Sequence, residues 1–292
     1  MPPFKQTEMY RTHLHEYAEK WSDYFHMRRE DGILEVAMHT DGGSARWGLE
    51  LHRAFIPAFA DIAHDPENEC VIFTGTGDAF LASMTQEGWE RYDFHKPYSF
   101  DKGYDFWYAD QVHEPFALLN LEIPVIAAIN GPFFIHQELA LVNDIVLCTE
   151  DTTMKDGHYT GMGIVPGDGT QTLFRELLGP NRAKYFLLTG QTMDAQEMLA
   201  AGVVGEVLPR EELLPRAWEI ARTVFMARSR SHRRMTRALL VQPWRELLVR
   251  ELPFGMAQEC WATHGYWPMA DEDSYNMEKL QKGEPGSEKT EG

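Results

Sequence analysis

Three short apolar runs, each followed by a turn signal, constrain the fold of this chain more than any other feature. CVIFTGTG (70–77) closes with glycines, PVIAAING (124–131) closes with Asn-Gly, and DIVLCTEDTTM (144–154) follows them. Short continuous apolar runs suit strands that are buried on both faces of a parallel sheet. Because segments with helical periodicity alternate with these strands, the sequence predicts a layered α/β fold that binds ligands at the carboxyl ends of its strands.

The regions around these runs predict how the chain is organised. Hydrophobic spacing over 7–28 predicts a leader helix, ILEVAMHT (33–40) predicts a strand, and 46–63 predicts a helix. Further helices are expected over 111–121, 171–206, 210–227 and 228–265, with Pro243 and Pro253 interrupting the last. The expected organisation is an N-terminal helical extension over 1–28, a core over 29–210, a C-terminal helical region over 211–270 and a disordered tail over 271–292.

An aromatic and charged segment from Gln86 to Glu114 shows little periodicity. Long irregular segments inside compact domains are usually functional lids or mobile insertions. Trp89 and the other aromatic side chains of this segment therefore predict a lid over a bulky apolar ligand.

The charge of the chain excludes two classes of partner. Its 292 residues include 27 Lys and Arg against 45 Asp and Glu, which gives a formal net charge of −18. Such a surface repels phosphate backbones and anionic lipid, so neither nucleic acid nor a membrane is expected as a partner. The N-terminal segment is polar and lacks the apolar run of a signal peptide, which predicts a cytoplasmic protein.

Cysteine and histidine spacing gives no sign of a metal centre. Cys70, Cys148 and Cys260 are widely separated and form no CxxC motif, so buried thiols are expected rather than disulfides. The 12 histidines show no HExxH or comparable pattern. The sequence therefore predicts neither a metal nor a cofactor.

The order and spacing of several motifs resemble those of the crotonase (enoyl-CoA hydratase/isomerase) superfamily over nearly the whole chain. The motifs are VIFTGTGDAF, PVIAAINGP, DIVLCTEDTTM, GIVPGDGTQTLFRELLG and AKYFLLTGQTMDAQEMLAAGVVGEVLP. The resemblance implies an α/β crotonase fold, with repeated ββα units in a spiral core. It also implies a helical C-terminal region through which copies form trimers or dimers of trimers.

The chain departs from the pattern of crotonases that use coenzyme A. Residues 80–85 lack the glycine and aspartate of the FxxGxD turn, and NGPFFIHQE (130–138) replaces NGxxxGGGxE. Those glycines let two backbone N–H groups approach a thioester oxygen, so their loss removes support for the usual oxyanion hole. Glu138 matches one hydratase glutamate, but His158 stands in place of the second.

These replacements resemble the β-diketone hydrolase branch of the superfamily, typified by 6-oxocamphor hydrolase. The shared signatures are Trp and His five residues apart in WGLELH, the sequence NGPFFIH, and DGH followed by GIVPGDG. The late segment FGMAQECWA supplies a carboxylate where that branch has one. The site residues that the resemblance implies are Trp47, His52, His136, His158, Asp168 and Glu259.

Hydrolysis of a carbon–carbon bond between two carbonyls needs a base for water, a donor for the charge on oxygen and a proton for the leaving carbon. We expect His158 to be the base and Asp168 to orient it. A surface-loop histidine is the alternative for His158, and a cap of the helix near Gly169 is the alternative for Asp168. His136 is expected to donate to the enolate oxygen, unless it is a solvated residue at a helix start.

Two further site residues have competing structural interpretations. His52 shares a helix with Leu51 and Phe55, so it could be a packed core histidine. Glu259 could tune a histidine, protonate the product or face solvent. The expected substrate-binding residues are Trp47, Met84, Trp89, Phe133, Phe134 and Ile135.

Three functions fit these residues. The first is a cofactor-independent hydrolase that cleaves a cyclic, apolar β-diketone by water attack and enolate release (a retro-Claisen reaction), giving a keto acid. The second is a hydratase or isomerase of CoA thioesters. Its phosphates could bind the arginines between 228 and 237, although a solvated helix face or a subunit contact is the plainer interpretation. The third is a non-catalytic protein of the same fold.

Overall fold

The structure is a computed structural model that describes residues 10–85, 103–104 and 108–264. The expected tail over 271–292 and most of the expected lid, including Trp89, lie outside the described residues.

Within that part of the chain, a six-stranded sheet forms the centre of the fold. Its strands run in the order β1-β2-β4-β6-β7-β10, with β1 antiparallel to β2 and all later neighbours parallel. Two short pairs, β3 with β5 and β8 with β9, lie outside this sheet. The strands are β1 (Phe25–Glu30), β2 (Ile33–Met38), β3 (Arg46–Trp47), β4 (Cys70–Gly75), β5 (Ser83–Met84), β6 (Val125–Ile129), β7 (Ile145–Thr149), β8 (Thr153–Met154), β9 (Met193–Asp194) and β10 (Glu206–Leu208).

Helices cover both faces of this sheet. They are α1 (Leu14–Lys20), α2 (Leu49–His64), α3 (Ala109–Leu119), α4 (Glu138–Leu141), α5 (Thr170–Leu178), α6 (Pro180–Thr189), α7 (Ala195–Ala201), α8 (Arg210–Ile220) and α9 (Arg230–His264). Two π-helices, His158–Met162 and Ala221–Phe225, complete the regular structure of the described residues. No described helix combines the length and the low charge of a membrane-spanning segment.

The burial of β4 on both of its faces explains its continuous apolar sequence. Val71 and Phe73 belong to a large core that includes α2, α3 and α5, whereas Cys70 and Ile72 face a second core beneath α8. Successive side chains of a strand point to opposite faces, so a strand covered on both sides needs apolar residues throughout. The predicted layered α/β class is confirmed.

Three predicted helices were wrong in their bounds. The leader helix does not extend to residue 28, because Phe25–Glu30 pairs with β2 and alternates between buried and exposed positions. The helix expected from residue 46 begins at Leu49, because Arg46–Trp47 pairs with β5. The helix expected over 171–206 is divided into three, with breaks at glycines in positive-φ conformations such as Gly190.

The last helix, α9, was expected to be interrupted and is not. It continues as one element through Pro243 and Pro253. It buries Leu248, Leu252 and Met256 against the large core. This packing compensates for the two backbone hydrogen bonds that the prolines remove.

Candidate active site

Two groups of buried polar side chains come from the helices and turns around the central sheet. The His136 cluster consists of Trp47, His52, Glu114, His136 and Glu138. The His158 cluster consists of Asp156, His158, Asp168 and Glu259. Each of these side chains belongs to a residue that is at most 8% exposed. The charge of Asp168 acts on both clusters, since it interacts with His158, His136 and Glu138.

The turn after β6 is held in place by Asn130 and Gly131. The amide of Asn130 donates to the carbonyl of Gly77 (3.0 Å), and its oxygen accepts the N–H of Gly75 (3.1 Å) at the end of β4. Gly131 has a φ of 152°, and a Cβ at this position would overlap the carbonyl oxygen of Asp78. Glycine is therefore required for the turns after β4 and β6 to lie against each other.

His136 has a backbone conformation that is uncommon for residues other than glycine. Its φ of 48° lies in the left-handed region, which costs energy for a residue with a Cβ and is concentrated at functional sites. The next residue, Gln137, donates from Nε2 to the carbonyl of Lys155 (2.6 Å). This bond ties the His136 turn to the segment that carries the His158 cluster.

The ring of His136 lies between a carboxylate and an indole. Its Nδ1 lies 2.6 Å from Oε1 of Glu138 and 3.6 Å from Oε2 of Glu114. Its ring centroid is 4.3 Å from that of Trp47. Because Nδ1 faces Glu138, Nε2 is the nitrogen available to a ligand. The indole Nε1 of Trp47 has no hydrogen-bond partner among the described residues, so it offers a second donor in the same cluster.

His52 and Glu114 come from two helices that pack together. Helix α2 buries His52 completely, and α3 buries Glu114 completely. The Nδ1 of His52 lies 3.5 Å from Oε1 of Glu114 and 3.8 Å from Oδ2 of Asp110. The interpretation of His52 as a packed core histidine therefore describes its burial but omits the two carboxyl groups that face it.

The burial of the His136 cluster displaces the pKa values of its members. Burial raises the pKa of Glu114 well above its usual range, and the charges of Glu138 and Asp110 raise it further. Burial also raises the pKa of Glu138, against the opposing effect of His136. Burial lowers the pKa of His52 well below its usual range, helped by His136. Such displacements are common at functional sites and reflect charges that have left water.

In the second cluster, His158 lies between two carboxylates, one at each ring nitrogen. Its Nδ1 lies 2.9 Å from Oδ2 of Asp156, and its Nε2 lies 3.4 Å from Oδ2 of Asp168. The backbone N–H of His158 also donates to Oδ1 of Asp156 (3.1 Å). His158 begins a π-helix, an element that often occurs at functional sites. The alternative of a surface-loop histidine does not describe a residue that is only 8% exposed.

The two carboxylates control the charge of His158. Burial alone would lower the pKa of His158, but Asp156 and Asp168 outweigh it and raise that pKa well above 6.5. Burial alone would raise the pKa of Asp168, but the charge of His158 and their hydrogen bond lower it below the usual range. The contact between His158 and Asp168 therefore favours the charged form of both groups.

Both interpretations of Asp168 describe part of its bonding. Its Oδ1 accepts the backbone N–H (3.2 Å) and the hydroxyl (2.8 Å) of Thr170, the first residue of α5. Its Oδ2 faces His158. One carboxylate therefore stabilises the start of a helix and interacts with the candidate base.

Glu259 joins the last helix to this cluster. Its Oε2 accepts the N–H of Gly167 (2.9 Å), and burial raises its pKa to about 8. A Cβ at Gly167 would overlap the carbonyl of Gly255, so glycine allows α9 to approach closely. The interpretation of Glu259 as a solvated helix residue was wrong, because the residue is only 1% exposed.

Apart from Trp89, which lies outside the described residues, the predicted substrate-binding residues belong to or adjoin the His136 cluster. Met84 pairs with Trp47 across β5 and β3. Phe133, Phe134 and Ile135 are buried in the turn that leads to His136, and the ring of Phe133 packs on Phe80. The N–H groups of Phe133 and Phe134 donate to Thr153 (3.0 Å) and Leu81 (2.9 Å). These two amides are therefore committed within the protein and cannot act as oxyanion donors.

Sequence reasoning missed Asp156 and Glu114. Asp156 had a local signal, since an aspartate two residues before an N–H that it accepts forms an Asx turn, which the letters DGH permit. No local sequence signal indicated Glu114, because the side chains that face it come from α2 and from the turn after β6.

One set of described residues offers ligand atoms to a metal. Atoms of Glu114, His136 and Glu138 lie within 4.8 Å of one another, and all three residues are buried. Motif spacing could not indicate this set, because its members do not share an element.

The arginines at the start of α9 are largely paired with acidic groups. Arg233 contacts Glu69, and Nε of Arg237 donates to Asp144 (2.7 Å). Arg237 also donates to backbone carbonyls, including that of Leu118 (3.1 Å). These two buried guanidinium groups serve the fold, which weakens the expectation that they bind phosphates.

Comparison with known proteins places the chain among enzymes. A family model described as enoyl-CoA hydratase/isomerase matches residues 28–258. Carnitinyl-CoA dehydratase from Salmonella typhimurium (strain LT2) is 31% identical over 207 residues, with 68% of this chain and 74% of the relative covered. The relative from Salmonella enteritidis PT4 is 30% identical over 203 residues with the same coverage.

Solved structures give a second comparison. The structure of a beta-diketone hydrolase from the cyanobacterium Anabaena sp. PCC 7120, bound to (S)-3-oxocyclohexyl acetic acid, superposes with a TM-score of 0.80. It shares 38% identity and covers 85% of this chain and 97% of its own. An enoyl-CoA hydratase/isomerase from Mycobacterium paratuberculosis has a TM-score of 0.71 at 20% identity, covering 89% and 98%, and supports the fold alone.

Proposed function

Since the chain belongs to the enoyl-CoA hydratase/isomerase (crotonase) family, we propose that it uses this fold to hydrolyse a carbon–carbon bond of an apolar, cyclic β-diketone. The observation that carries the proposal is the buried hydrogen bond of 2.9 Å between His158 and Asp156, in the place where a hydratase would have its second glutamate. The 38% identity to a beta-diketone hydrolase supports the same reaction. That structure holds a molecule with both a carboxylic acid and a ketone, which is the product class that the proposal requires.

In the proposed reaction His158 activates water. Asp156 accepts from Nδ1, which keeps the Nε2 lone pair on the side of Asp168. When His158 is neutral, Nε2 takes a proton from water and the oxygen attacks one carbonyl carbon. The imidazolium that forms is stabilised by both carboxylates.

His136 and Trp47 would stabilise the charge that leaves with the second carbonyl. Collapse of the tetrahedral adduct breaks the carbon–carbon bond and moves its electron pair into an enolate. The Nε2 of His136 and the indole N–H of Trp47 supply donors for the enolate oxygen, in place of the committed backbone amides of Phe133 and Phe134. Glu259, with a pKa of about 8, carries a proton at neutral pH and is our candidate to protonate the enolate carbon.

A second candidate function is hydration or dehydration of a CoA thioester. The carnitinyl-CoA dehydratase relatives favour it, as does Glu138 in a position of a hydratase glutamate. Against it, the second glutamate is replaced by His158, and Arg233 and Arg237 pair with acidic groups.

A direct comparison of substrates tests the proposal. The protein is incubated with a bicyclic 1,3-diketone and, separately, with crotonyl-CoA. We expect loss of the diketone's enolate absorbance and formation of a keto acid, with no hydration of crotonyl-CoA. His158→Ala should lower turnover by about a hundredfold or more, as removal of a positioned base does. Hydration of crotonyl-CoA without diketone cleavage would reject the hydrolase in favour of the second candidate.

We also propose that copies of the chain associate through α9. Met235, Leu239 and Leu240 are between 66% and 77% exposed on this helix. Neighbouring exposed apolar side chains usually mark an interaction surface. A trimer or a dimer of trimers is the assembly that the sequence led us to expect.

A further inference from the structure

The His136 cluster contains more buried carboxylate than its hydrogen bonds satisfy. Glu114 and Glu138 are 0% and 1% exposed, and both lie beside the single ring nitrogen Nδ1 of His136. Among the described residues, neither oxygen of Glu114 has a hydrogen-bond partner, and the same holds for Oε2 of Glu138. Buried carboxyl groups without partners are rare, because the desolvation of each is uncompensated.

A proton alone does not satisfy these atoms. A proton between Glu138 and His136 would complete their contact of 2.6 Å, but it would leave Oε2 of Glu138 and both oxygens of Glu114 without partners. Among the described residues, a proton on Glu114 would find no hydrogen-bond acceptor. The ring nitrogens that face Glu114, Nδ1 of His136 and Nδ1 of His52, lie 3.6 Å and 3.5 Å from its oxygens.

We propose that Glu114, His136 and Glu138 bind one divalent transition-metal ion, with His52 beside the site. Their ligand atoms lie within 4.8 Å of one another, a separation that donors around one ion can reach with small side-chain movements. Two carboxylates balance the charge of a divalent cation, and each ion–oxygen bond supplies the partner that an unsatisfied oxygen lacks. A mixed nitrogen and oxygen set favours Zn²⁺ over Mn²⁺, and Mn²⁺ over Mg²⁺.

The groups that face the proposed site fit a cation. His52 is completely buried and its Nδ1 lies 3.5 Å from Oε1 of Glu114, so its ring can bind or border the ion. Asp110 lies 3.8 Å from Nδ1 of His52 and can orient that ring from outside. Asp168 adds negative charge from the other cluster. Arg53 is the opposing cation, and its Nε is paired with Asp110 at 3.7 Å.

Metal binding would have a defined effect on His136. A ligand nitrogen must be free of its proton, so an ion at Nδ1 leaves the ring proton on Nε2. Nε2 would then always present an N–H to the enolate site. The ion would therefore fix the donor that the proposed hydrolysis needs, but its binding does not depend on which reaction the protein catalyses.

Titration calorimetry on the full chain tests the site. Metal is first removed with a chelator, and Zn²⁺, Mn²⁺ and Mg²⁺ chlorides are then titrated separately. We expect one saturable Zn²⁺ site per chain, weaker Mn²⁺ binding and the weakest binding for Mg²⁺. Glu114→Gln, which keeps the side-chain shape, should weaken Zn²⁺ binding by at least about a hundredfold. Absence of a saturable Zn²⁺ site in the wild type would overturn the proposal.

Two controls separate this site from adventitious binding and from misfolding. His26 and His39 stack with centroids 3.8 Å apart and could bind Zn²⁺ by themselves, so His26→Ala must retain the site. Zn²⁺ should raise the melting temperature of the wild type and of His26→Ala, but not that of Glu114→Gln, because only binding to the native state stabilises it. Equal Zn²⁺ affinity of Glu114→Gln and wild type would show that the ion binds elsewhere and would refute the assignment. These binding measurements test the metal site whether or not the protein cleaves diketones.

Discussion

Asp156 offers a sharp test of how the His158 cluster works, because it was not among the site residues expected from the sequence. The change is Asp156→Asn, which keeps the shape of the side chain and removes its charge. Asp156 is completely buried and bonds to His158 twice, at Nδ1 (2.9 Å) and at the backbone N–H (3.1 Å). Hydrogen bonds to a charged group are worth about 1.5–3 kcal/mol. At about 1.4 kcal/mol per tenfold in rate, loss of one such bond in the transition state predicts a fall in kcat of about tenfold to about a hundredfold.

The same change has a predicted sign in the pH profile. Water activation needs neutral His158, so the rise of the wild-type rate with pH should have a midpoint well above 6.5, in line with the raised pKa, and the rate should fall again as Glu259 loses its proton near pH 8. Burial lowers the pKa of His158 and Asp156 raises it, so removal of the Asp156 charge should move the midpoint to lower pH. The variant should therefore lose least activity, relative to wild type, in mildly acidic buffer.

The assay is the loss of diketone enolate absorbance, measured at saturating substrate from about pH 5 to about pH 9, the range over which a histidine changes charge. Asp151→Asn is the matched control, because its side chain is 58% exposed and pairs with Arg210 on the surface. A midpoint that stays in place or moves to higher pH in Asp156→Asn would refute the role assigned to Asp156. An unchanged kcat would refute it independently.

Other perturbations test the remaining parts of the site and fold. His136→Ala should lower kcat by about a hundredfold or more with little change in KM, because a donor to developing charge acts mainly in the transition state, and a proportional rise in KM would contradict that role. Glu259 has a folded-state pKa of about 8 against an ordinary 4.5, so its stabilisation is complete below 4.5 and is lost as pH rises towards 8. Glu259→Gln should therefore flatten the decline in unfolding free energy over that interval in urea titrations, whereas an unchanged slope would show that Glu259 does not titrate as assigned. Gly131→Ala should lower the melting temperature, because its Cβ would overlap the Asp78 carbonyl, and a wild-type melting curve would contradict that overlap. Leu239→Asp should reduce the assembly mass in analytical ultracentrifugation if α9 joins copies, and an unchanged mass would reject that surface.

The sequence was sufficient for the parts of the fold that depend on local pattern. β4, β6 and β7 lie where continuous apolar runs predicted them, because strands covered on both faces have no freedom to be polar. Phe25–Glu30 shows where prediction from local pattern fails. Its aromatic and charged residues fit a helix locally, but pairing with Ile33–Met38 makes the segment a strand. Pairing between segments cannot be inferred from the spacing within one of them.

The residues of the candidate site also fall into two groups: those that sequence motifs indicate and those that depend on packing between distant segments. His136, His158 and Asp168 sit on motifs of the crotonase resemblance, so their positions could be named in advance, although their roles remain predictions. Glu114 could not be named, because its significance depends on α2 and α3 packing side by side. The second carboxylate of His158 was also missed, since DGH fits an ordinary turn as well as a buried ion pair.

The close contact between Gly167 and Gly255 has a consequence for how the chain acquires activity. Glu259 reaches the His158 cluster only when α9 has docked, and α9 is the last element that the structure describes. A chain that is still being synthesised, or one shortened before residue 255, can form the central sheet and both histidine turns but lacks this carboxyl group. Contacts between residues distant in sequence form late in folding, because the intervening loop must close first. Appearance of activity during refolding should therefore follow the docking of α9 and lag behind formation of the sheet.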